Sequence, residues 1–214
     1  MKRVKIEEFL SSNRVRDDVE GYLRQGGVVI YPTDTLYGMG VDIRVAGAVE
    51  NLMRLKGRES GRPVPLFIDS AVGIEDICAP LSPLGKKLSE VFWPGKLTIV
   101  TRARRHVALI VGSEDGTVGV RLPDSAVSLS LAGMCGGVTT GTSANKSRGA
   151  VPLTTGQVMG DFEGDEVLFI DGKDLPPSAG STVVRVDGNV LRILREGDVK
   201  ANEILKIAEE FDNG

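Results

Sequence analysis

A chain of 214 residues and 22.8 kDa is long enough to bury a substantial core as one domain, and 41% hydrophobic against 26% charged residues excludes a disordered chain. The 26 Lys and Arg against 29 Asp and Glu give a formal charge of −3, which leaves no global positive field to hold a nucleic-acid backbone. Two cysteines, Cys78 and Cys135, are too few for a disulfide framework or a zinc cluster, and a mean hydropathy of −0.00 with no apolar run of about 18 residues excludes a spanning helix.

The first 18 residues carry charge with no apolar run behind it, which argues against secretion and for a reducing, cytoplasmic location. Helical periodicity begins over residues 17–24. It returns at Val45, Val49, Leu52 and Met53, in a stripe that Lys56 and Gly57 end as a cation and a C′ glycine end a helix. Further helices are predicted over residues 84–92, 126–134 and 202–211. Between them lie β-rich runs over residues 28–31, 64–68, 97–101, 118–122, 138–140 and 167–170. A last pair, 182–186 and 190–194, flanks Asp187-Gly188-Asn189, whose residues suit a tight reversal. Strands and helices interleave with one antiparallel hairpin near the end. The fold class is therefore α/β with a mixed sheet, in one domain over residues 1–214 whose recognisable motifs run from about 26 to 197.

Glycine is over-used, 27 in 214, and the unusual polar residues fall just after predicted strands in glycine-bounded turns, where open α/β sheets place ligands. Four segments stand out. Residues 31–40, Tyr31-Pro32-Thr33-Asp34-Thr35-Leu36-Tyr37-Gly38-Met39-Gly40, pack three threonine and tyrosine hydroxyls and a carboxylate between a proline and two glycines. A capped turn needs one such residue, and here several compete. Residues 56–62 hold Lys56, Arg58 and Arg62, either a solvated helix end or a basic rim able to wrap a polyphosphate. In residues 117–123, alternation puts Thr117, Gly119 and Arg121 on one face and Val118, Val120 and Leu122 on the other. Arg121 there suits either a structural ion pair or a two-bond grip on a carboxylate. Residues 139–147 hold five Ser and Thr hydroxyls and Asn145, either a polar linker or an anion-binding nest.

Other constellations fail. The lone His106 sits in a basic stretch with Arg102, Arg104 and Arg105, so neither Ser-His-Asp hydrolysis nor a histidine zinc site has support. Walker A and Rossmann glycine spacings are absent. What remains is an anion-handling site rich in Arg, Lys, Ser and Thr with no evident general base. Such a site suits chemistry in which the substrates bring their own nucleophile and leaving group.

In chain order, Tyr31 to Gly40, Lys56-Gly57-Arg58, Phe92-Trp93-Pro94-Gly95 with Leu97-Thr98, Val120-Arg121-Leu122-Pro123, Ser143-Ala144-Asn145, Gly180-Ser181-Thr182 and Leu194-Arg195-Glu196-Gly197 resemble the YrdC-type threonylcarbamoyl-AMP synthase family. The resemblance implies a YrdC-like twisted mixed β-sheet with flanking helices around a large positively charged cavity, in the short, single-domain form of the family. It implies an L-threonylcarbamoyladenylate synthase, a nucleotidyltransferase that condenses L-threonine, bicarbonate or CO₂ and ATP into threonylcarbamoyl-AMP and pyrophosphate for the t6A modification of tRNA. Mg²⁺ would accompany ATP, with no direct protein ligand to a metal and no organic cofactor. A downstream tRNA threonylcarbamoyl transferase, a tRNA or double-stranded RNA contact and no membrane are the implied partners. An alternative within the fold is a paralogue that binds RNA or a nucleotide without synthase activity.

Matched position by position, the resemblance implies that Thr35, Arg121, Gly141 and Ser181 hold L-threonine, with Arg121 on its carboxylate. It gives Lys56, Arg58, Arg62, Thr117, Ser143, Asn145, Val151 and Arg195 to ATP, with Lys56, Arg58, Ser143 and Asn145 as the catalytic group. Three positions depart from the family pattern. Gly141-Thr142 stand where Ala-Pro is usual, Lys96 where a proline is usual, and Phe67 where some members carry a histidine.

Overall fold

The computed structural model describes residues 1–57, 63–72, 74–146, 149, 152 and 154–212, and its strands divide between two mixed sheets. The first orders β1 (Lys2–Lys5), β9 (Val167–Asp171), β2 (Val28–Pro32), β3 (Tyr37–Gly40) and β8 (Thr142–Ser143). The second orders β11 (Val190–Arg195), β10 (Thr182–Asp187), β5 (Leu97–Arg102), β6 (Thr117–Arg121), β4 (Leu66–Ile68) and β7 (Val138–Thr140). Each sheet combines parallel pairs (β1 with β9, β9 with β2, β10 with β5, β4 with β6) with antiparallel ones and is therefore mixed. The helices are α1 (Ile6–Ser11), α2 (Asn13–Arg24), α3 (Ala48–Lys56), α4 (Pro83–Phe92), α5 (Arg105–Ile110), α6 (Ala126–Met134), α7 (Thr155–Asp161) and α8 (Ala201–Asp212).

The second sheet explains where a site can form. On one face, Leu97 and Ile99 of β5, Val118 and Val120 of β6, and Val184 and Val186 of β10 pack with Leu84 and Leu88 of α4, Val107 of α5 and Ile204 of α8 into one apolar core. Period-two alternation then sends Thr98, Val100, Thr117, Gly119, Arg121, Val183 and Arg185 to the opposite face, where they line a cavity instead of a core. The two sheets are stitched together at β7. Thr139 Oγ1 donates to the Val41 carbonyl at 3.0 Å, Thr140 Oγ1 donates to the Met39 carbonyl at 3.2 Å, and Tyr31 Oη donates to the Thr140 carbonyl at 3.1 Å.

Local chemistry sets the helix ends. Ser82 and Ser125 cap α4 and α6, and Thr154 with Gln157 forms a capping box on α7. Gly57, with φ 59°, ends α3 after Lys56 as its sequence suggests. Both cysteines are buried and unpaired. Among the described residues no helix is long and apolar enough to cross a membrane.

Elements absent from the sequence reading have physical reasons. In β1 only Val4 is buried, so no alternation signals it. The strand β3 reads as a turn because two of its four residues are glycine. They are there for close approach, since a Cβ on Gly40 would lie 2.8 Å from the Tyr31 ring and 2.9 Å from Thr139 Oγ1. α5 hides in a stretch whose exposed face is Arg105 and His106, with Val107 and Ala108 turned inward. The apolar run expected over 64–68 pairs only from Leu66.

Candidate active site

A cavity of about 610 Å³ opens between the polar face of the second sheet and the β3–β8 edge of the first. That volume is within the range of small-molecule sites. Of the residues assigned by sequence, Thr35, Thr117, Arg121, Gly141, Ser143, Ser181 and Arg195 all line it. Arg58, Arg62 and Val151 lie outside the described residues. Lys56 and Asn145 sit behind the wall rather than on it.

Arg121, at the end of β6, is 2% exposed and held on three sides. Its Nε donates to the Gly95 carbonyl at 2.8 Å, Nη1 to Thr35 Oγ1 at 3.2 Å and Nη2 to Asp34 Oδ1 at 2.5 Å. The Phe67 ring centroid lies 5.3 Å from its Cζ. Burial pulls the guanidinium pKa down while Asp34 opposes that shift, and an arginine stays protonated throughout. The Phe92 to Leu97 turn exists to present that carbonyl. Trp93 Nε1 is anchored on the Leu97 carbonyl at 2.7 Å, and a Cβ on Gly95 would lie 2.6 Å from the Phe92 oxygen.

Hydroxyl protons fix what each group can offer a ligand. Thr33 Oγ1 donates to the Leu36 carbonyl at 2.7 Å and accepts the N–H groups of Thr35 and Leu36, so its hydrogen-bonding capacity is filled beside its 3.1 Å contact with Thr35 Oγ1. Thr35 Oγ1 accepts from Arg121 Nη1 and keeps a lone pair for a donor, such as an amine or hydroxyl. Gly141 likewise gives its N–H to the Pro65 carbonyl at 2.8 Å, which leaves it a carbonyl to offer. Ser181 shares a 2.8 Å hydrogen bond with Thr98 Oγ1.

At the Asp115 end of the cavity, Thr117 Oγ1 donates to Asp115 Oδ1 at 2.7 Å and so also presents lone pairs, which match a ligand hydroxyl or amine better than an anionic oxygen. Thr117 hydrogen bonds, foremost its hydroxyl, hold the Asp115 carboxyl below the usual carboxylate range. Arg185, on the same lining, is tied to Asp115 and Asp187. Arg195 differs. Its Nη2 donates to the Ser181 carbonyl at 2.7 Å, and among the described lining residues it is the arginine with no carboxylate partner. A guanidinium without a carboxylate partner keeps its charge and its N–H donors available to an anion.

Ser143 Oγ donates to Asn145 Oδ1 at 2.7 Å, and Asn145 Nδ2 donates to the carbonyls of Lys146 and Gly149, both at 3.0 Å. Lys56 Nζ, 3% exposed, donates to the carbonyls of Ser143 and of Asn145, the latter at 2.9 Å. Lys56 and Asn145 therefore shape the loop that carries Ser143. Lys56→Met is expected to cost about 1.5–3 kcal/mol in denaturant unfolding, the range for hydrogen bonds from a charged group. Unchanged stability would show that the ammonium does not hold this loop.

The three departures are accommodated. Phe67 exchanges a polar contact for a ring beneath Arg121, and the same ring overlaps any Cβ placed on Gly141. Thr142 pairs with Met39 in the β3–β8 ladder, where proline has no N–H to give. Lys96 Nζ bonds Asp198 Oδ2 at 2.7 Å, joining the turn before β5 to the segment before α8. Because Lys96 is 40% exposed, Lys96→Ala is expected to cost no more than about 1 kcal/mol, and thermal melts should show that cost shrinking at high salt. Asp34, Thr98, Asp115 and Arg185 received no role from sequence. Arg185 had a signal, since it shares the inward face of β10 with Val183.

The Sua5/YciO/YrdC family model, described as telomere recombination, matches residues 21–197. The chain belongs to the Sua5/YciO/YrdC family. It is 34% identical over 175 residues to the threonylcarbamoyl-AMP synthase of Thiobacillus denitrificans, covering 81% of this chain and 93% of that one. The Sua5/YciO/YrdC fold is matched by a structure of Pyrococcus abyssi Sua5 complexed with L-threonine at TM-score 0.85 and 29% identity, over 96% of this chain and 59% of that one. E. coli YciO matches at TM-score 0.80 and 20% identity over 95% and 98% of the two chains, a likeness of fold.

Proposed function

We propose that this cavity is the site of an L-threonylcarbamoyladenylate synthase. L-threonine, bicarbonate and ATP would enter, and threonylcarbamoyl-AMP and pyrophosphate would leave, the adenylate passing to a tRNA threonylcarbamoyl transferase for t6A formation. One observation carries the reading. Among the described residues Arg121 keeps open N–H groups and Arg195 has no carboxylate partner, and both face one hollow, so a carboxylate and a polyphosphate can be held side by side. The synthase names of the relatives support it, as does the L-threonine complex of the Pyrococcus protein.

In this proposal Arg121 takes the threonine carboxylate, and the acceptors at Thr35 Oγ1 and the Gly141 carbonyl take hydrogens of its amine, with Ser181 beside them. The neutral amine adds to bicarbonate, forming a C–N bond and releasing water, to give a carbamate. A carbamate oxygen then attacks the α-phosphorus as the bond to the β,γ-diphosphate breaks, and pyrophosphate departs with that electron pair. Arg195, with Arg58, Arg62 and the loop that Lys56 and Asn145 shape and that carries Ser143, would neutralise the phosphates, and Thr117 and Val151 would serve the nucleoside. Catalysis is then positioning and charge, with no protein nucleophile. Mg²⁺ enters as part of the nucleotide substrate and no step runs through it. Asp115, one of two carboxylates on the lining, is already bonded to Ser113, Thr117 and Arg185.

Pyrophosphate release, measured with threonine and bicarbonate omitted in turn, tests this. A signal that needs ATP and both small molecules is expected. Release without threonine would mean simple hydrolysis, and nucleotide binding without turnover would select the non-catalytic alternative.

A further inference from the structure

Asp34 shares a turn with Thr35, yet it does not line the cavity and the reaction proposed above makes no use of it. Its side chain is 10% exposed. Oδ1 accepts from Arg121 Nη2, and Oδ2 accepts from the backbone N–H of Asp124 at 3.3 Å. The carboxylate thus joins the β2–β3 turn of the first sheet to the chain leaving β6 of the second. It cannot drift, because Thr33 Oγ1 accepts the N–H groups of Thr35 at 3.1 Å and Leu36 at 3.2 Å and pins the turn. A guanidinium has five N–H donors. Three of Arg121's go to Gly95, Thr35 and Asp34, and among the described residues Nη1 and Nη2 each keep one for a ligand.

Charge matters as much as direction. An unpaired buried guanidinium would favour any anion, and so an amino acid with a second carboxylate and a net charge of −1 over a net-neutral one. Paired with Asp34, the same group offers hydrogen bonds with its charge cancelled. That combination suits a net-neutral zwitterion and disfavours an acidic competitor.

We propose that Asp34 is a positioning residue for the amino-acid substrate, fixing the rotation of Arg121 and cancelling its charge so that the cavity selects neutral over acidic amino acids. The proposal rests on the reading that Arg121 receives the substrate carboxylate.

The test is Asp34→Asn in the full chain, which keeps the shape and an acceptor oxygen but removes the charge. Calorimetry would measure L-threonine, L-aspartate and a non-hydrolysable ATP analogue in turn. We expect threonine binding to weaken about 10-fold, the ATP analogue to stay within about twofold, and the aspartate-to-threonine affinity ratio to rise about 10-fold or more. Asp34→Glu restores the charge and should return the ratio to within about threefold of wild type, with threonine still weakened by the longer side chain. An unchanged ratio in D34N, or equal losses for threonine and nucleotide, overturns the proposal. If D34N does not fold, D34E decides, since a ratio shifted towards aspartate with the charge present contradicts it. Failure of the underlying reading shows separately, as a wild-type chain that binds no threonine.

Discussion

Arg121→Ala is expected to abolish threonine-dependent pyrophosphate release, lowering kcat/KM for threonine at least about 100-fold, while affinity for an ATP analogue stays within about threefold. The asymmetry follows from the geometry. Arg121 is held by Thr35, Asp34 and Gly95 and, in the proposed reading, takes the threonine carboxylate, whereas that reading gives the nucleotide to Thr117, Ser143 and Arg195. Stability must be read alongside, because the truncation leaves Asp34 buried without its partner, a loss of about 3–5 kcal/mol. Arg121→Lys is the control for that. It keeps a cation beside Asp34 but loses the planar fork, so it should fold well and still bind threonine poorly. Equal losses for threonine and nucleotide in R121K would remove the assignment.

The second large effect is expected from a residue with no side chain. A Cβ on Gly197 would lie 2.6 Å from the Ser181 carbonyl carbon and 2.7 Å from its oxygen, and closer still to the Gly180 oxygen. These are backbone atoms that cannot rotate away, and Gly197 N–H is also bonded to Thr182 Oγ1 at 2.8 Å. Gly197→Ala must therefore push the Gly180–Ser181 wall, and Arg195 bonded to it, out of place. We expect a loss of about 2–4 kcal/mol in denaturant unfolding together with weakened threonine and nucleotide binding. Gly21→Ala is the contrast. It lies in α2 with nothing within 4 Å of its new Cβ and should stabilise by about 0.5–1 kcal/mol. If both substitutions behave alike, close backbone approach is not what keeps Gly197.

The sequence was legible where one physical rule acted alone. The alternation of Thr117, Gly119 and Arg121 against Val118 and Val120 predicted both the cavity face and the core face of β6. The hairpin of β10 and β11 turns at Gly188, φ 62°, within the reversal read from Asp187-Gly188-Asn189. What stayed hidden depended on partners far along the chain. β1 is a strand because β9 lies beside it, and β3 needs glycines because Tyr31, from the neighbouring strand, crosses it. For the site, the resemblance brought Thr35, Arg121, Ser143, Ser181 and Arg195 together from distant segments. It could not say that Lys56 would spend its ammonium on the carbonyls of Ser143 and Asn145, nor that Asp34 would hold Arg121. Both facts arise from contacts between residues 87 to 89 positions apart.

In the proposed reaction the substrates react with each other while the protein only holds them, and single-turnover labelling tests that directly. Rapid quench of the chain with ATP, L-threonine and ¹³C-bicarbonate, followed by mass spectrometry of small molecules and intact protein, should find AMP joined to threonine through the labelled carbon, with the protein mass unchanged throughout. An adenylylated or carboxylated protein intermediate, or AMP formed with no labelled carbon attached, would contradict it.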